Sequence, residues 1–195
     1  MRKITRLAAA VGALVFLVAG CSSPEPAASP ATSQAATAYF PLKQYLDGQA
    51  AALNQRHPAV TKHVLLRDTP PETTRVPQVD WTKELQIFYQ ADINKPALRG
   101  AYSVDSSATA DGAELYTYTR QPGIENAVTV LRVERDQAGV RAVSATLSQN
   151  NPLFSSEKKM ELRAQNGTLT SYQVKGVQKL VLFDTVRYST EARVE

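Results

Sequence analysis

The 195-residue sequence has few of the residues that most often mark a metal or catalytic site. It contains one cysteine, Cys21, so no disulfide can form within the chain and packing must supply the stability. Its two histidines, His57 and His63, are six residues apart with Pro58 between them, which suits neither one helix face nor a compact metal pair. A Gly-x-Ser-x-Gly nucleophile motif is absent, as is the run of acids of a calcium loop. The sequence therefore predicts no metal site, no cofactor and no catalytic residue.

The main apolar run of the sequence lies near its N-terminus, from Leu7 to Val18. It is too short for a membrane-spanning helix, which needs about 20 residues. Three basic residues precede the run, and small residues follow it before Cys21. A basic start, an apolar stretch and small residues before a cleavage point are the three parts of an export signal. We therefore predict a signal peptide over residues 1–20.

The string Leu17-Val18-Ala19-Gly20-Cys21 resembles the lipobox of bacterial lipoprotein precursors. This resemblance implies that the Cys21 thiol carries a diacylglycerol thioether and that its amine takes a further acyl chain such as palmitate after cleavage. Two or three chains would hold the protein permanently in a membrane, because one chain holds only marginally. Ser22 resembles the residue that sorts such proteins to the outer membrane. No acidic cluster of the kind associated with surface export follows Cys21, which favours the periplasmic face of that membrane. An ordinary cleaved secretory signal is the alternative.

Residues 22–38 consist almost entirely of Pro, Ala, Ser and Thr, and Glu25 is their only charged residue. Such a composition cannot bury enough apolar surface to fold. We predict that residues 21–38 are a lipidated cysteine and a disordered tether, and that the tether, residues 22–38, would span at most about 55 Å when extended. The following residues, 39–195, are long enough for a single domain with its own core.

The net charge predicts no nucleic-acid partner. Residues 1–20 carry three of the 22 basic residues and none of the 18 acidic ones, so their removal leaves 19 basic residues against 18 acidic. The densest basic pair, Lys158-Lys159, is flanked by Glu157 and Glu161. A nucleic-acid surface needs clustered basic residues that face the phosphates, and this balance does not provide them.

Two helices are predicted at the start of the domain. Pro41 suits the opening turn of the first, which should end near Gln55 ahead of Pro58. One face of this helix carries apolar residues and a glutamine, namely Leu42, Tyr45, Leu46, Gln49 and Leu53. Asp80 suits the N-cap of the second helix, whose core-facing stripe would be Trp81, Leu85, Phe88 and Tyr89. A ligand-stacking role for Trp81 is the alternative.

The rest of the sequence alternates with period two between turn signals, which predicts antiparallel strands. After the second helix the candidate strands are 100–105, 114–120, 127–135, 140–149, 156–165, 168–175 and 178–188, which predict a meander of six or seven strands. A further candidate strand, 60–67, lies between the two helices. Pro70-Pro71 predicts that residues 68–77 lack regular structure. Asn166-Gly167 is the clearest hairpin signal, because a type I′ turn needs positive φ at both residues. We predict an α+β fold, with two N-terminal helices packed on a curved, half-barrel-like antiparallel sheet of six to seven strands.

The stretch from Asp92 to Tyr102 follows the tryptophan-containing helix and precedes the strand-rich half. Together with residues 39–53 and the later strand pattern, it resembles a group of small lipoproteins of Bacteroidetes-type bacteria. That family has no established activity. The resemblance therefore implies an envelope location and this type of fold, and it implies no site residues.

Two functions remain open from the sequence. The first is a noncatalytic binding or assembly module with an envelope protein, lipid or glycan partner. Its candidate surface contains Tyr102, Tyr116 and Tyr118, because alternating tyrosines offer rigid amphipathic contact area, and the pattern places Leu115 on the opposite, core-facing side. Strand propensity with half-burial is the alternative role of these tyrosines. The second function is a hydrolase of envelope polymers or glycans, whose paired carboxylates the sequence alone cannot identify.

Overall fold

A computed structural model describes residues 39–67 and 69–195 of the chain. The predicted signal peptide, the lipidated Cys21 and the tether to residue 38 lie outside the described residues. The described part is an α+β unit dominated by one open, antiparallel sheet of nine strands. No helix in these two ranges is long and apolar enough to cross a membrane.

The sheet contains every strand of the described chain, in the spatial order β2-β1-β9-β8-β7-β6-β5-β4-β3. The strands are β1 Val60–Leu66, β2 Glu72–Val76, β3 Tyr102–Ala108, β4 Glu114–Arg120, β5 Val128–Asp136, β6 Gly139–Asn151, β7 Phe154–Gln165, β8 Thr168–Leu180 and β9 Val186–Val194. From β3 to β9 each strand pairs with its neighbour in sequence, because the connections are short hairpins. The strands β2 and β3 are the two edges.

The first helix, α1, extends over Leu42–Arg56 and confirms the sequence prediction. It ends where His57 adopts a left-handed conformation ahead of Pro58. Its apolar stripe is buried against the sheet, and Gln49 is buried with it. The Gln49 amide donates to the carbonyl of Gly167 and accepts from the amide of Leu169, both at 2.8 Å. These bonds hold the helix to the β7–β8 hairpin, whose Asn166 and Gly167 have the expected positive φ.

The second helix is shorter than the sequence predicts. An α-helical turn, α2, covers Trp81–Glu84 with Asp80 as its N-cap, and the chain continues as a 3₁₀ helix over Gln86–Ala91. A second 3₁₀ turn follows at Pro96–Leu98. The change of helix type has a packing reason: apolar residues spaced three apart lie in line on a 3₁₀ helix. The predicted burial is confirmed for Trp81, Leu85 and Phe88, which all lie in the core. Tyr89, the fourth residue of the predicted stripe, is only half-buried, because its hydroxyl reaches the exposed Asp47 carboxylate.

The strands differ from the prediction in two places, once by an additional strand and once by shifted strand bounds. Residues 68–77, which were expected to lack regular structure, contain β2. This strand begins directly after Pro70-Pro71, because Glu72–Val76 is rich in β-branched residues and pairs with β1. The sequence also predicts that a strand ends at Lys175, just before Gly176, whereas β8 continues through this glycine to Leu180. The last strand is therefore β9 at Val186–Val194, eight residues later than the predicted 178–188 strand begins.

The sheet has one face that packs against the helices, called here the covered face, and an opposite open face. Residues directly opposite in an antiparallel pair share a face. Tyr118 lies opposite Leu131, and Tyr116 lies opposite Val133, both of them core residues of β5. The predicted faces of β4 are therefore wrong: both tyrosines lie on the covered face, and Leu115 lies on the open one opposite Glu134.

Candidate functional site on the open face of the sheet

The tyrosines predicted as a binding surface lie mostly in the core. Tyr102 is 3% exposed and Tyr118 is 8% exposed. Both rings meet the Tyr39 ring edge to face, with centroids 5.6 and 5.9 Å away. The Tyr102 hydroxyl donates to the Val128 carbonyl at 2.7 Å, and burial raises the pKa of Tyr102 to about 12. These two residues serve as core anchors of the β3 edge.

Tyr116 is half-buried, and its hydroxyl donates to the Glu114 carboxylate at 3.0 Å. The ring packs against the edge of the core. Tyr102, Tyr116 and Tyr118 therefore do not form an exposed ligand surface. The alternation of β4 was visible in the sequence, but its assignment to a face required the cross-strand register.

The open face carries a groove that crosses β7, β8, β9 and β1, with a volume of about 750 Å³. Its floor is formed by side chains that occupy alternate positions of the four strands. One row joins Glu161, Gln173, Glu191 and His63, which lie directly opposite one another from strand to strand. Residues two apart on a strand lie on the same face about 7 Å from each other. The groove is thus built from parallel rows that run across the strands.

The row on each side of this acidic row is basic. Arg163, Ser171, Arg193 and Thr61 form the row on one side. Lys159 and Lys175, followed by Ser189, form the row on the other side. We name these three rows together the charge rows. They give the open face a stripe of negative charge between two stripes of positive charge.

Contacts within the charge rows are solvent-exposed ion pairs. Lys175 Nζ lies 3.2 Å from Glu191 Oε1, and Arg163 pairs with Glu161. The Gln173 amide also donates to Glu191. Exposed pairs of this kind contribute little to stability, with a typical value of about 0–1 kcal/mol. The charges therefore remain available to a partner that offers the complementary pattern.

A second polar cluster lies on the covered face, where it joins α2 to the sheet. Lys62 Nζ of β1 is 2.7 Å from Glu84 Oε2, and the Tyr172 hydroxyl of β8 donates to the other oxygen of Glu84. All three side chains are largely buried. Burial first, and then the bond to Glu84, raise the pKa of Tyr172 well above its usual range. The cluster is a closed structural network rather than a site open to substrate.

Replacing this tyrosine by phenylalanine tests the network. Tyr172→Phe should lower the free energy of unfolding at neutral pH by about 1–3 kcal/mol, because Glu84 loses a buried donor. The raised pKa also means that the folded state keeps the hydroxyl proton above pH 10, where an unfolded tyrosine releases it. The stability that Tyr172 contributes is therefore complete below pH 10 and is lost as the pH rises above it. Denaturant titrations across this range should show a shallower alkaline loss for Tyr172→Phe.

The matched control is Tyr116→Phe, which removes a hydroxyl bonded to the exposed Glu114 carboxylate. It should change neutral stability by less than about 0.5 kcal/mol. Equal losses for the two variants would show that the buried network contributes nothing beyond an ordinary surface hydrogen bond.

Carboxyl groups with a displaced pKa do not resemble a catalytic acid. Within the described residues these groups are Asp47, Asp80, Asp111 and Glu195, and the pKa of each is lowered. At Asp111, hydrogen bonds from Thr109 and then Arg141 lower the pKa to about 2. A lowered pKa keeps the carboxylate ionised, whereas a general acid requires a raised one. The described part of the chain, residues 39–67 and 69–195, contains no group of three or more His, Cys, Asp or Glu side chains arranged to hold a metal ion.

Comparison of the chain with protein-family models, curated proteins and solved structures finds no match. The resemblance to small lipoproteins of Bacteroidetes-type bacteria therefore stays a prediction. The charge rows were not predicted from sequence, although a signal for them exists: β7 alternates Lys159, Glu161 and Arg163, and β9 repeats the pattern with Glu191 and Arg193. Only the register shows that these alternations align across β7, β8 and β9.

Proposed function

We propose that this chain is a lipid-anchored lipoprotein of the bacterial envelope that acts as a noncatalytic binding module. The lipobox-like string at Cys21 supports the anchor, Ser22 supports the outer membrane, and the lack of an acidic cluster after Cys21 supports its periplasmic face. The half-barrel-like curvature expected of a long twisted sheet would place the charge rows on its outer side. The anchor would hold the domain beside the membrane, where the charge rows can meet other envelope components in the periplasm.

The single observation that carries the binding role is the charge rows. Two basic stripes and one acidic stripe align across β7, β8 and β9 on a face that no helix of the described chain covers. Folding does not need such an alignment, because exposed ion pairs contribute little stability. A face that presents complementary stripes to solvent suits a partner with charges of both signs.

The chemistry of the groove favours a protein partner over a glycan or a lipid. The Glu161, Gln173 and Glu191 row and its neighbours offer charged and amide groups. A polypeptide supplies ammonium, guanidinium and carboxylate groups at comparable spacing, whereas a neutral glycan supplies none of them. An apolar lipid would find few apolar side chains on this floor. We therefore propose that the partner is an envelope protein with a charged segment of mixed sign.

Crosslinking in intact cells tests this proposal. A photo-crosslinking amino acid replaces Gln173 at the centre of the charge rows, in the full chain, and the adducts are identified by mass spectrometry. We expect a protein adduct of one defined mass. Adding Arg193→Glu should reduce that adduct on the order of tenfold, because like charges then face each other in the complex.

The control is Arg56→Glu, which reverses an exposed arginine at the end of α1. It should leave the adduct unchanged. Adducts with saccharide instead of protein would contradict a protein partner and indicate a glycan. Crosslinking that is insensitive to Arg193→Glu, or equal in both variants, would contradict binding through the charge rows.

A further inference from the structure

The largest exposed apolar side chains of the described chain gather at one end of the sheet. Leu182 is 89% exposed and Phe183 is 70% exposed, and Val181 precedes them in the β8–β9 turn. Leu153, in the β6–β7 turn, is 72% exposed. We name Leu153 together with residues 180–183 the apolar tip. Single exposed apolar residues are ordinary, but a contiguous group at a turn marks an interaction site.

The apolar tip is carried on strands that extend past their neighbours. Leu147, Lys158, Gly176, Tyr188 and Leu66 form one row across five strands. At this row β1 ends, and β5 begins opposite it. The strands β6, β7 and β8 continue for four more residues, about 13 Å at 3.3 Å per residue, and β9 continues beside them for two. The tip therefore stands clear of the rest of the domain on a three-stranded arm.

Hydrogen bonds fix the shape of the tip. The Val181 amide donates to the Leu153 carbonyl at 3.1 Å, which ties the two turns together. The Phe183 amide donates to the Leu180 carbonyl at 3.1 Å, and the Asn151 side chain accepts from the Leu153 amide at 3.0 Å. The backbone is thus satisfied within the turns, while their apolar side chains point to solvent. Packing in the core does not explain these side chains.

The position of the N-terminal segment indicates what the tip meets. Tyr39, the first described residue, accepts a hydrogen bond from the amide of Tyr102 at 3.0 Å. Tyr102 begins β3 opposite Arg120, the last residue of β4. Through the antiparallel register, this is the same end of the sheet as the arm. Tyr39, the described residue that follows the proposed anchor and tether in sequence, therefore lies at the end where the apolar tip projects.

The charges around the tip agree with a membrane surface. The stretch 148–156 of the arm carries no charged residue, and Leu153 lies within it. Lys179 and Arg187 flank the other turn, with Asp184 as the one acid between them. Basic residues beside the tip attract anionic lipid headgroups. Burial of the apolar side chains at the boundary between headgroups and acyl chains would be favourable.

We infer that the apolar tip inserts into the interfacial region of the lipid bilayer and so fixes the orientation of the domain on the membrane. This inference rests on the proposed lipid anchor for bringing the domain to the bilayer. Together, anchor and tip give two attachments at one end of the sheet. The charge rows, farther from that end, then face the periplasm at a defined angle.

Depth-dependent fluorescence tests the inference. The full lipidated chain carries Leu182→Cys, labelled with an environment-sensitive fluorophore, because the Cys21 thiol is blocked by its thioether. It is reconstituted in vesicles of phosphatidylethanolamine and phosphatidylglycerol. We expect a blue-shifted emission, quenching by nitroxide-bearing lipid and loss of quenching by aqueous iodide. A label at Gln137→Cys lies in an exposed turn at the opposite end of the sheet. It should show no blue shift and no quenching by nitroxide-bearing lipid, and aqueous iodide should quench it.

A second label keeps the test independent of changes at the tip itself. Asn150→Cys lies on the arm beside the tip, and its contact with lipid should be lost when Leu182→Ser and Phe183→Ser are added. Iodide accessibility at Leu182 equal to that at Gln137 would overturn the inference. Shielding from iodide in native membranes without quenching by lipid would also overturn it, because a protein then covers the tip.

The mass of the N-terminal peptide from the same preparation separates the two proposals. An acylated Cys21 with a water-exposed tip supports the anchor and rejects the insertion. An unacylated chain contradicts the anchor, and the vesicle assay, repeated with Cys21→Ser so that only position 182 is labelled, then decides the insertion alone: lipid quenching at Leu182 supports it, and its absence overturns it.

Discussion

Cys21→Ser is expected to remove all acyl chains from the protein and to abolish its recovery in the outer-membrane fraction. A serine hydroxyl cannot form the thioether that the lipobox-like string implies. Without that step residues 1–20 should stay attached, since their cleavage follows lipidation in proteins of the class that this string resembles. Labelling with radioactive palmitate and the intact mass of the N-terminal peptide measure both effects. The expected change is complete, because the variant carries no acyl chain, and even a single chain would give an association constant of only about 10⁴ M⁻¹.

The control for this variant is Ser23→Ala, which lies outside the lipobox-like string and should leave palmitate incorporation unchanged. If the wild-type protein incorporates no palmitate and begins at a residue other than Cys21, the N-terminus is an ordinary secretory signal. That result would remove the anchor from the proposed function. It would leave the charge rows and their protein partner to be tested separately.

Local sequence signals predicted the elements whose interactions are themselves local. In α1, Pro41, the apolar stripe and the following Pro58 act within a few turns, and the helix was predicted within one residue at each end. The Asn166-Gly167 hairpin is equally local, because the turn conformation depends on two residues. These are the cases in which propensity and tertiary packing favour the same structure.

The misassigned elements depend on partners that are distant in sequence. The strand β2 exists because β1 offers a pairing edge, which the Pro70-Pro71 signal did not reveal. The faces of β4 were inverted because a shift of one residue in register exchanges the two faces of a strand. At Gly176, the Tyr188 ring occupies the space that a side chain would take, so the glycine is a packing site and not a turn. In each case the deciding contact comes from another strand.

The candidate site follows the same logic. Tyr102 and Tyr118 were selected for their chemistry, but their faces were set by the register with β5 and by contact with Tyr39. The charge rows combine β1 with β9, segments separated by more than one hundred residues. Period-two alternation of charge in β7 predicts an exposed strand face. It does not predict which strands lie beside it, and a binding surface is a property of the neighbours together.

Trp81→Ala is expected to lower the free energy of unfolding by about 3–5 kcal/mol, the largest stability effect of any single substitution considered. Trp81 is fully buried at the start of α2 among residues of α1 and the sheet, so truncation leaves a cavity that the long β-hairpins cannot collapse to fill. Such a loss is a large fraction of the typical total of about 5–15 kcal/mol. Urea unfolding followed by far-ultraviolet circular dichroism measures it, since the substitution removes the one tryptophan that fluorescence would report.

Two further substitutions serve as comparisons for Trp81→Ala. Within the described residues the Trp81 indole N–H has no hydrogen-bond partner, so Trp81→Phe removes an unsatisfied polar group along with part of the ring and should cost clearly less than Trp81→Ala. Leu182→Ala, at an 89% exposed position of the apolar tip, should change stability by less than about 0.5 kcal/mol. A large loss at Leu182 would mean that the tip packs against the domain in solution, which contradicts its insertion into a bilayer. A negligible loss at Trp81 would mean that the helical layer does not form part of the core.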